Sequence, residues 1–253
     1  MVNGSRNIYF LPNLLTTAAL FAGFYGIVAA TQDQFQVAAA AIFVAAVMDG
    51  LDGRVARLLN AQSEFGAQYD SIADMVSFGV APALIMFEWS LSSMQNLSFS
   101  YAAKLGWLAA FVYVACAGLR LARFNVQVGS IDKRFFMGLA SPASAAVVMG
   151  LIWVVDDIGV SGAEVWFIAL PLTVTCALMM VSRFMYYSFK DLGSKTRGRV
   201  PFFVMVLLIL IFAFVSFDPP KVLFAFFFSY LLSGPLLSGW RRLRRRRRQT
   251  TSD

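Results

Sequence analysis

An all-α, polytopic membrane bundle of about eight transmembrane helices is the fold class that three observations predict. The 253-residue chain is 59% hydrophobic and 15% aromatic, with a mean hydropathy of +0.68. Its apolar runs approach the roughly 20 residues that cross a bilayer as helix. Each run ends in a short polar or turn-forming stretch that a continuous helix would not carry.

Spans are predicted in order at 13–30, 35–60, 66–89, 103–127, 139–156, 162–188, 200–217 and 221–238. The first follows the MVNGSRNIYFLPN stretch, which lacks a basic region ahead of a small-residue cleavage site and reads as a lead-in to an uncleaved span. It stops at Thr31–Gln34, and the second, alanine-rich, stops at Asn60–Glu64. The third closes at Ser90–Ser100, the fourth at Gly129–Phe136 and the fifth at Asp157–Gly162. Lys190–Arg199 ends the sixth and Asp218-Pro219-Pro220 the seventh, while the eighth runs into the basic stretch Arg241–Arg248.

Charge sets the expected topology. With the N-terminus in the cytoplasm, Arg6, Lys133, Arg134, Lys190, Lys195, Arg197, Arg199 and the Arg241–Arg248 run share one side, against Lys104 and Lys221 opposite. Asp33, Glu88, Asp156, Asp157, Glu164 and Asp218 fall on the far side. An even number of spans with both termini inside keeps that separation. The terminal arginines are read as an anchor to anionic membrane lipids, each basic residue near the surface contributing about 1 kcal/mol, and not as a nucleic-acid contact. Lys133 and Arg134 are read as topology or headgroup residues. Cys116 and Cys176 lie in separate apolar spans and read as buried small hydrophobes. Gly23, Gly26 and Gly106 are positions where helices can approach closely.

The chain has no histidine, which excludes imidazole acid–base chemistry and histidine-ligated zinc. Its chemistry must run on carboxylates, and four stand inside predicted spans: Asp49, Asp52, Asp70 and Asp74. An ionised aspartate in a transmembrane helix costs about 2.5 to 3.5 kcal/mol on insertion scales, so the group needs a partner. At about 100° per residue, Asp49, Asp52, Gly53 and Ala56 share one face of the second helix. Gly66, Asp70 and Asp74 stack at i, i+4 and i+8 on the third, and the short turn at 60–65 makes the two helices antiparallel neighbours. All four acids then meet at one depth, at the cytoplasmic end. Hard oxygen donors without nitrogen or sulfur suit Mg²⁺ or Mn²⁺, and the small residues beside them leave room for a bulky group. Two other readings stay open here: helix glue through ion pairs to Arg54, Arg57, Arg120 or Arg123, and a divalent-cation transport path, which would spread its acids over several depths.

These residues resemble the signature of the CDP-alcohol phosphotransferase family, D-x2-D-G-x2-A-R-x8-G-x3-D-x3-D. Asp49, Asp52, Gly53, Ala56, Arg57, Gly66, Asp70 and Asp74 match each fixed position, spacer included. The likeness extends to Pro12-Asn13-Leu-Leu-Thr16 and Ser77-Phe78-Gly79-Val80-Ala81-Pro82. Gly118-Leu-Arg120-Leu-Ala-Arg123-Phe124-Asn125 and Gly138-Leu-Ala-Ser141-Pro142-Ala143 resemble the branch that uses serine as acceptor, although Ala140 stands where that branch usually has proline.

The resemblance implies a lipid phosphotransferase that makes phosphatidylserine and CMP from CDP-diacylglycerol and L-serine, working as a homodimer in a bacterial inner membrane. Glycerol 3-phosphate, inositol and choline are the other acceptors the family allows. It implies a six-helix catalytic core over 13–188, after a lead-in at 1–12 and before two further helices at 189–240 and a basic tail at 241–253. It also implies roles: Asp49, Asp52 and Asp70 as ligands of Mg²⁺ or Mn²⁺, and Asp74 near a second ion and as candidate base. Gly53 and Ala56 would line the cytidine pocket, Arg57 and Ser63 would contact the diphosphate, and Gly66 would belong to the same CDP-diacylglycerol site. Asn13 and Thr16 are further nucleotide candidates, with a helix N-cap and a polar interface residue as the alternatives. For the acceptor, a guanidinium at Arg120 or Arg123 can pair bidentately with a carboxylate, which serine has and glycerol phosphate and inositol lack. Asn125 adds an amide to that group. The alternative for the arginines is contact with lipid phosphates.

Overall fold

The computed structural model describes residues 10–97, 101–127, 135–187 and 216–249. Among them α1 (Phe10–Ala30) and α2 (Phe35–Leu58) form an antiparallel pair. The third span is α3 (Glu64–Asp74), a π-helical turn over Met75–Val80, and α4 (Ala81–Trp89). There follow α5 (Ala102–Gln127), α6 (Ser141–Asp157), α7 (Trp166–Val181) and α8 (Pro219–Gln249). Five of these rods are long and apolar enough to cross a membrane: α1, α2, the rod from Glu64 to Trp89, α5 and the Pro219–Ser238 part of α8. The helix ends expected from sequence hold within a few residues for the first five spans.

The centre of the bundle is α6. From Ser141 to Ile152 every residue except Pro142 is buried, against α2, α4, α7 and α8. Small side chains allow this: Ala38, Ala39 and Ala45 on α2, Ala81 and Ala83 on α4, and Ala169 and Ala177 on α7 are buried with Ala143, Ala145 and Ala146. Helices in lipid gain stability from such close van der Waals approach, since apolar burial against lipid gives little. One close approach is at Gly23, where a Cβ would lie 2.6 Å from Ser77 Oγ and 2.8 Å from Ser77 Cα. That glycine lets α1 touch the π turn, and Ser77 Oγ donates to Ala19 O at 3.1 Å across the same contact.

The five-residue gap between α2 and α3, residues 59–63, is closed by its own backbone. Asn60 adopts φ +51°, Ala61 N donates to Ala56 O at 2.9 Å and Asn60 N to Arg57 O at 3.3 Å. This is a Schellman closure, with asparagine in the left-handed position that glycine usually takes. Ser63 then caps α3, its Oγ accepting from Gly66 N at 3.0 Å. The hairpin is therefore stiff where it carries the acids.

The later part of the chain differs from the expectation at the sixth span. The sixth span, expected to reach residue 188, stops at Val181: Ser182 turns extended (φ −61°, ψ 163°), and Met185–Tyr187 (β2) pairs antiparallel with Phe135–Met137 (β1). This two-stranded ribbon is an addition to the expected all-helical bundle, and it satisfies backbone groups that leaving the helix exposes. The basic run expected as a tail is helical as far as Gln249, where α8 ends. The expected span at 200–217 lies outside the described residues except for its last two positions.

Proline inside α8 is accommodated by the ribbon. Pro235 has no N–H for Leu231 O, and the buried Tyr186 of β2 donates its hydroxyl to that carbonyl at 3.1 Å. Gly234 makes room for the ring, since a Cβ there would lie 2.3 Å from Tyr186 Cζ.

Candidate active site

The hairpin between α2 and α3 brings the carboxylates of Asp49, Asp70 and Asp74 together. One oxygen of each lies within 4.8 Å of the others, all three residues being half-buried. Asp49 comes from the last turns of α2; Asp70 and Asp74 stand one turn apart on α3. The π turn begins at Met75, immediately after Asp74. Such insertions change the phase of a helix, so the rod can present Asp74 to the acids and still bury Phe78 and Gly79 in the core. Tyr113 of α5 donates its hydroxyl to Phe78 O at 3.4 Å within this turn.

Asp52 is the fourth acid beside this group, near enough to Asp49 and Asp70 to act on both electrostatically. Its side chain is 5% exposed, and Thr16 Oγ1 donates to its Oδ2 at 2.6 Å. Together these two residues join α1 to α2 at the rim of a cleft of about 330 Å³. Asn13, Gly53, Ala56, Arg57, Ser63, Gly66 and Asp70 also line that cleft, so the residues expected to face a nucleotide and its diphosphate share one opening. Asn13 lies inside α1, which is already helical at Phe10, and is not an N-cap. Gly53 has no heavy atom within 4 Å of where a Cβ would stand, so its missing side chain leaves open space. The cleft walls also include Pro12, Ala61, Gln62 and Ala67, which sequence reasoning did not single out as site residues; the amide of Gln62 was the one chemical signal among them.

Among the described residues the one ion pair within 4.0 Å joins Lys221 and Asp218, far along the chain from these acids. Helix glue through arginine is therefore not what gathers them. The donor set left to Asp49, Asp70 and Asp74 is all hard oxygen, with no histidine in the chain, which fits a divalent cation.

The three residues expected at the acceptor separate into different environments. Arg120 on α5 donates from Nη1 to the buried Ser141 Oγ, and Asp74, Tyr230, Asp49 and Tyr113 are the ionisable groups near enough to act on it electrostatically. Arg123, one turn on, points at the C-terminus of α7 and the ribbon: Nη1 reaches Val181 O at 3.5 Å and Nη2 the Met137 sulfur at 3.3 Å. Asn125 is exposed, and its Nδ2 donates to Ser71 Oγ on α3 at 3.1 Å. Ser141 was not singled out by sequence reasoning; the signal was present in the block Gly138–Ala143, where a hydroxyl precedes the proline that opens α6.

Residues 9–175, more than half of the chain, match the family described as CDP-alcohol phosphatidyltransferase. A CDP-diacylglycerol–serine O-phosphatidyltransferase of Helicobacter pylori is 32% identical over 90% of this chain and 90% of its own. Proteins of the same name from Mycobacterium leprae and Saccharomyces cerevisiae are each 37% identical, the first over 70% of this chain and 58% of its own. The yeast protein aligns over 59% of this chain and 55% of its own.

Proposed function

The chain belongs to the CDP-alcohol phosphatidyltransferase family, and we propose that it transfers the phosphatidyl group of CDP-diacylglycerol to L-serine. The serine hydroxyl oxygen forms a bond to the lipid-side phosphorus, the bond from that phosphorus to the bridging oxygen breaks, and CMP leaves. The observation that carries this reading is the meeting of three carboxylates with the small-residue cleft at one end of the bundle, in a chain whose relatives bear the name of that reaction.

Each residue has a task that its position supports. Gly53 and Ala56 leave the space a cytidine needs, and Arg57 at the cleft rim supplies positive charge to the diphosphate. Thr16 holds Asp52 in place at the opening. Asp49, Asp70 and Asp74, with Asp52 at the rim, would hold one or two Mg²⁺ or Mn²⁺ ions, which neutralise pyrophosphate charge and stabilise the departing phosphate when bound. Asp74 is the base that takes the serine hydroxyl proton. Arg120 offers its remaining N–H groups to the serine carboxylate.

The same reading puts the active site and both termini on the cytoplasmic side of a bacterial inner membrane, with the arginines of α8 at anionic lipid. It takes residues 13–188 as the catalytic core and a homodimer as the working form.

Product identification tests the assignment. Purified enzyme supplied with CDP-diacylglycerol and, in turn, serine, glycerol 3-phosphate, inositol or choline should yield phosphatidylserine and CMP in equal amounts with serine alone. A different phospholipid would reassign the acceptor; no CMP with any alcohol would overturn the reaction class.

A further inference from the structure

The block Gly138–Pro142 has no task in the reaction as described, yet its backbone is tied down beside the site. Gly138 N donates to Phe184 O and Leu139 N to Met179 O, both at 2.9 Å, tying the approach to α6 onto the ribbon and the last turn of α7. Gly138 has φ +83°, and a Cβ there would lie 2.2 Å from Met180 O, so only glycine lets the chain pass so close. Arg123 grips the same frame through Val181 O and Met137. The residue that this frame delivers is Ser141, 0% exposed, whose Oγ accepts from Arg120 Nη1.

Arg120 needs such a partner. Arg120 stands beside acids without an ion pair within 4.0 Å among the described residues, and bidentate recognition of a carboxylate works only if the planar fork is already aimed. One N–H spent on a fixed hydroxyl leaves the other donors of the guanidinium free. Arg123 cannot serve equally, since two of its donors already face the α7 carbonyl and the methionine sulfur.

We infer that Ser141 is a positioning residue for the acceptor step: its buried hydroxyl aims the Arg120 guanidinium at the carboxylate of the incoming amino acid, while Arg123 holds the frame that carries Ser141. The inference rests on the proposed use of a carboxylate-bearing acceptor.

The test is kinetic, on the full-length enzyme in mixed micelles. Ser141→Ala removes the acceptor atom; Ser141→Cys fills the same space with a weak acceptor; Ser141→Thr restores the hydroxyl. Both Ala and Cys variants should raise the KM for serine about tenfold, as loss of a hydrogen bond to a charged group does, with the KM for CDP-diacylglycerol within twofold of wild type. Ser141→Thr should return most of the serine affinity. Serinamide, which lacks the carboxylate, should be discriminated against by the wild type and much less by Ser141→Ala, a change that general loosening of the fold would not produce. Serine KM and analogue discrimination unchanged in Ser141→Ala and Ser141→Cys, with both altered in Arg120→Lys, would overturn the role of Ser141 alone. No change in Arg120→Lys either would remove the carboxylate reading on which the inference stands.

Discussion

Thr16 and Asp52 are joined side chain to side chain across the first two helices, Oγ1 to Oδ2 at 2.6 Å. The hydroxyl has one proton and two acceptors in reach, and the other, Pro12 O, is 3.2 Å away; the shorter, charge-assisted bond to the carboxylate takes the proton. Thr16 thereby acts on the site through Asp52 as well as lining the cleft itself.

Thr16→Val keeps the volume and removes the donor. A hydrogen bond to a charged group contributes about 1.5 to 3 kcal/mol, so the KM for CDP-diacylglycerol should rise tenfold or more, and Thr16→Ser should recover it. Steady-state kinetics of the two variants decide the matter, and a Val variant matching wild type would leave Asp52 independent of Thr16.

Chelation should abolish activity, and Mg²⁺ or Mn²⁺ should restore it, because Asp49, Asp70 and Asp74 offer oxygen alone within 4.8 Å of one another. CMP release after extensive dialysis against chelator is the measurement. Undiminished turnover would mean the three acids do not work through a cation.

Asp74→Asn preserves size and polarity and removes the proton acceptor. Turnover should fall by about 10² or more, with a much smaller change in CDP-diacylglycerol affinity. An equal loss of binding would make Asp74 chiefly a cation ligand, and a normal rate would mean that another group takes the proton.

Two glycine-to-alanine changes should separate packing from ligand space. Gly23→Ala drives a methyl against Ser77 Cα at 2.8 Å and should cost about 1 to 3 kcal/mol of stability, as overpacking does. Gly53→Ala meets nothing within 4 Å, so its thermal midpoint should match wild type while the KM for CDP-diacylglycerol rises. Thermal inactivation and substrate titration on both proteins check the contrast; a destabilised Gly53→Ala would mean that the glycine serves the fold.

How much of this was legible in the sequence depends on the range of the interactions involved. The acid cluster was readable because its geometry is local: Asp70 and Asp74 share a helix face, and a short turn after Arg57 returns the chain beside Asp49. The bond from Thr16 to Asp52 was not readable, since it joins residues 36 apart on different helices. The π turn after Asp74 has the same apolar composition as an α-helix and leaves no periodic trace over six residues. Arg120 and Arg123 look equivalent at one-turn spacing; only the arrival of α6 at one and of the α7 terminus at the other tells them apart. The ribbon was hidden because Met185–Tyr187 reads as continuing helix and Phe135–Met137 as the end of a loop, and nothing local to either segment says that they pair.

The burial of α6 on nearly every side also bears on how this protein can change. Phe21 and Phe24 of α1, 67% and 58% exposed, face the surroundings, and where these are lipid tails any apolar side chain will do. The residues of α6 from Ala143 to Ile152 answer instead to four neighbouring helices at once. Gly150, where a Cβ would lie 3.1 Å from Phe224 Cα of α8, cannot grow unless α8 moves away. Substitutions on the outer helices can therefore accumulate singly, whereas those on the buried part of α6 must come in matched sets, and descendants of this sequence should diverge fastest on its outward faces and slowest from Ala143 to Ile152.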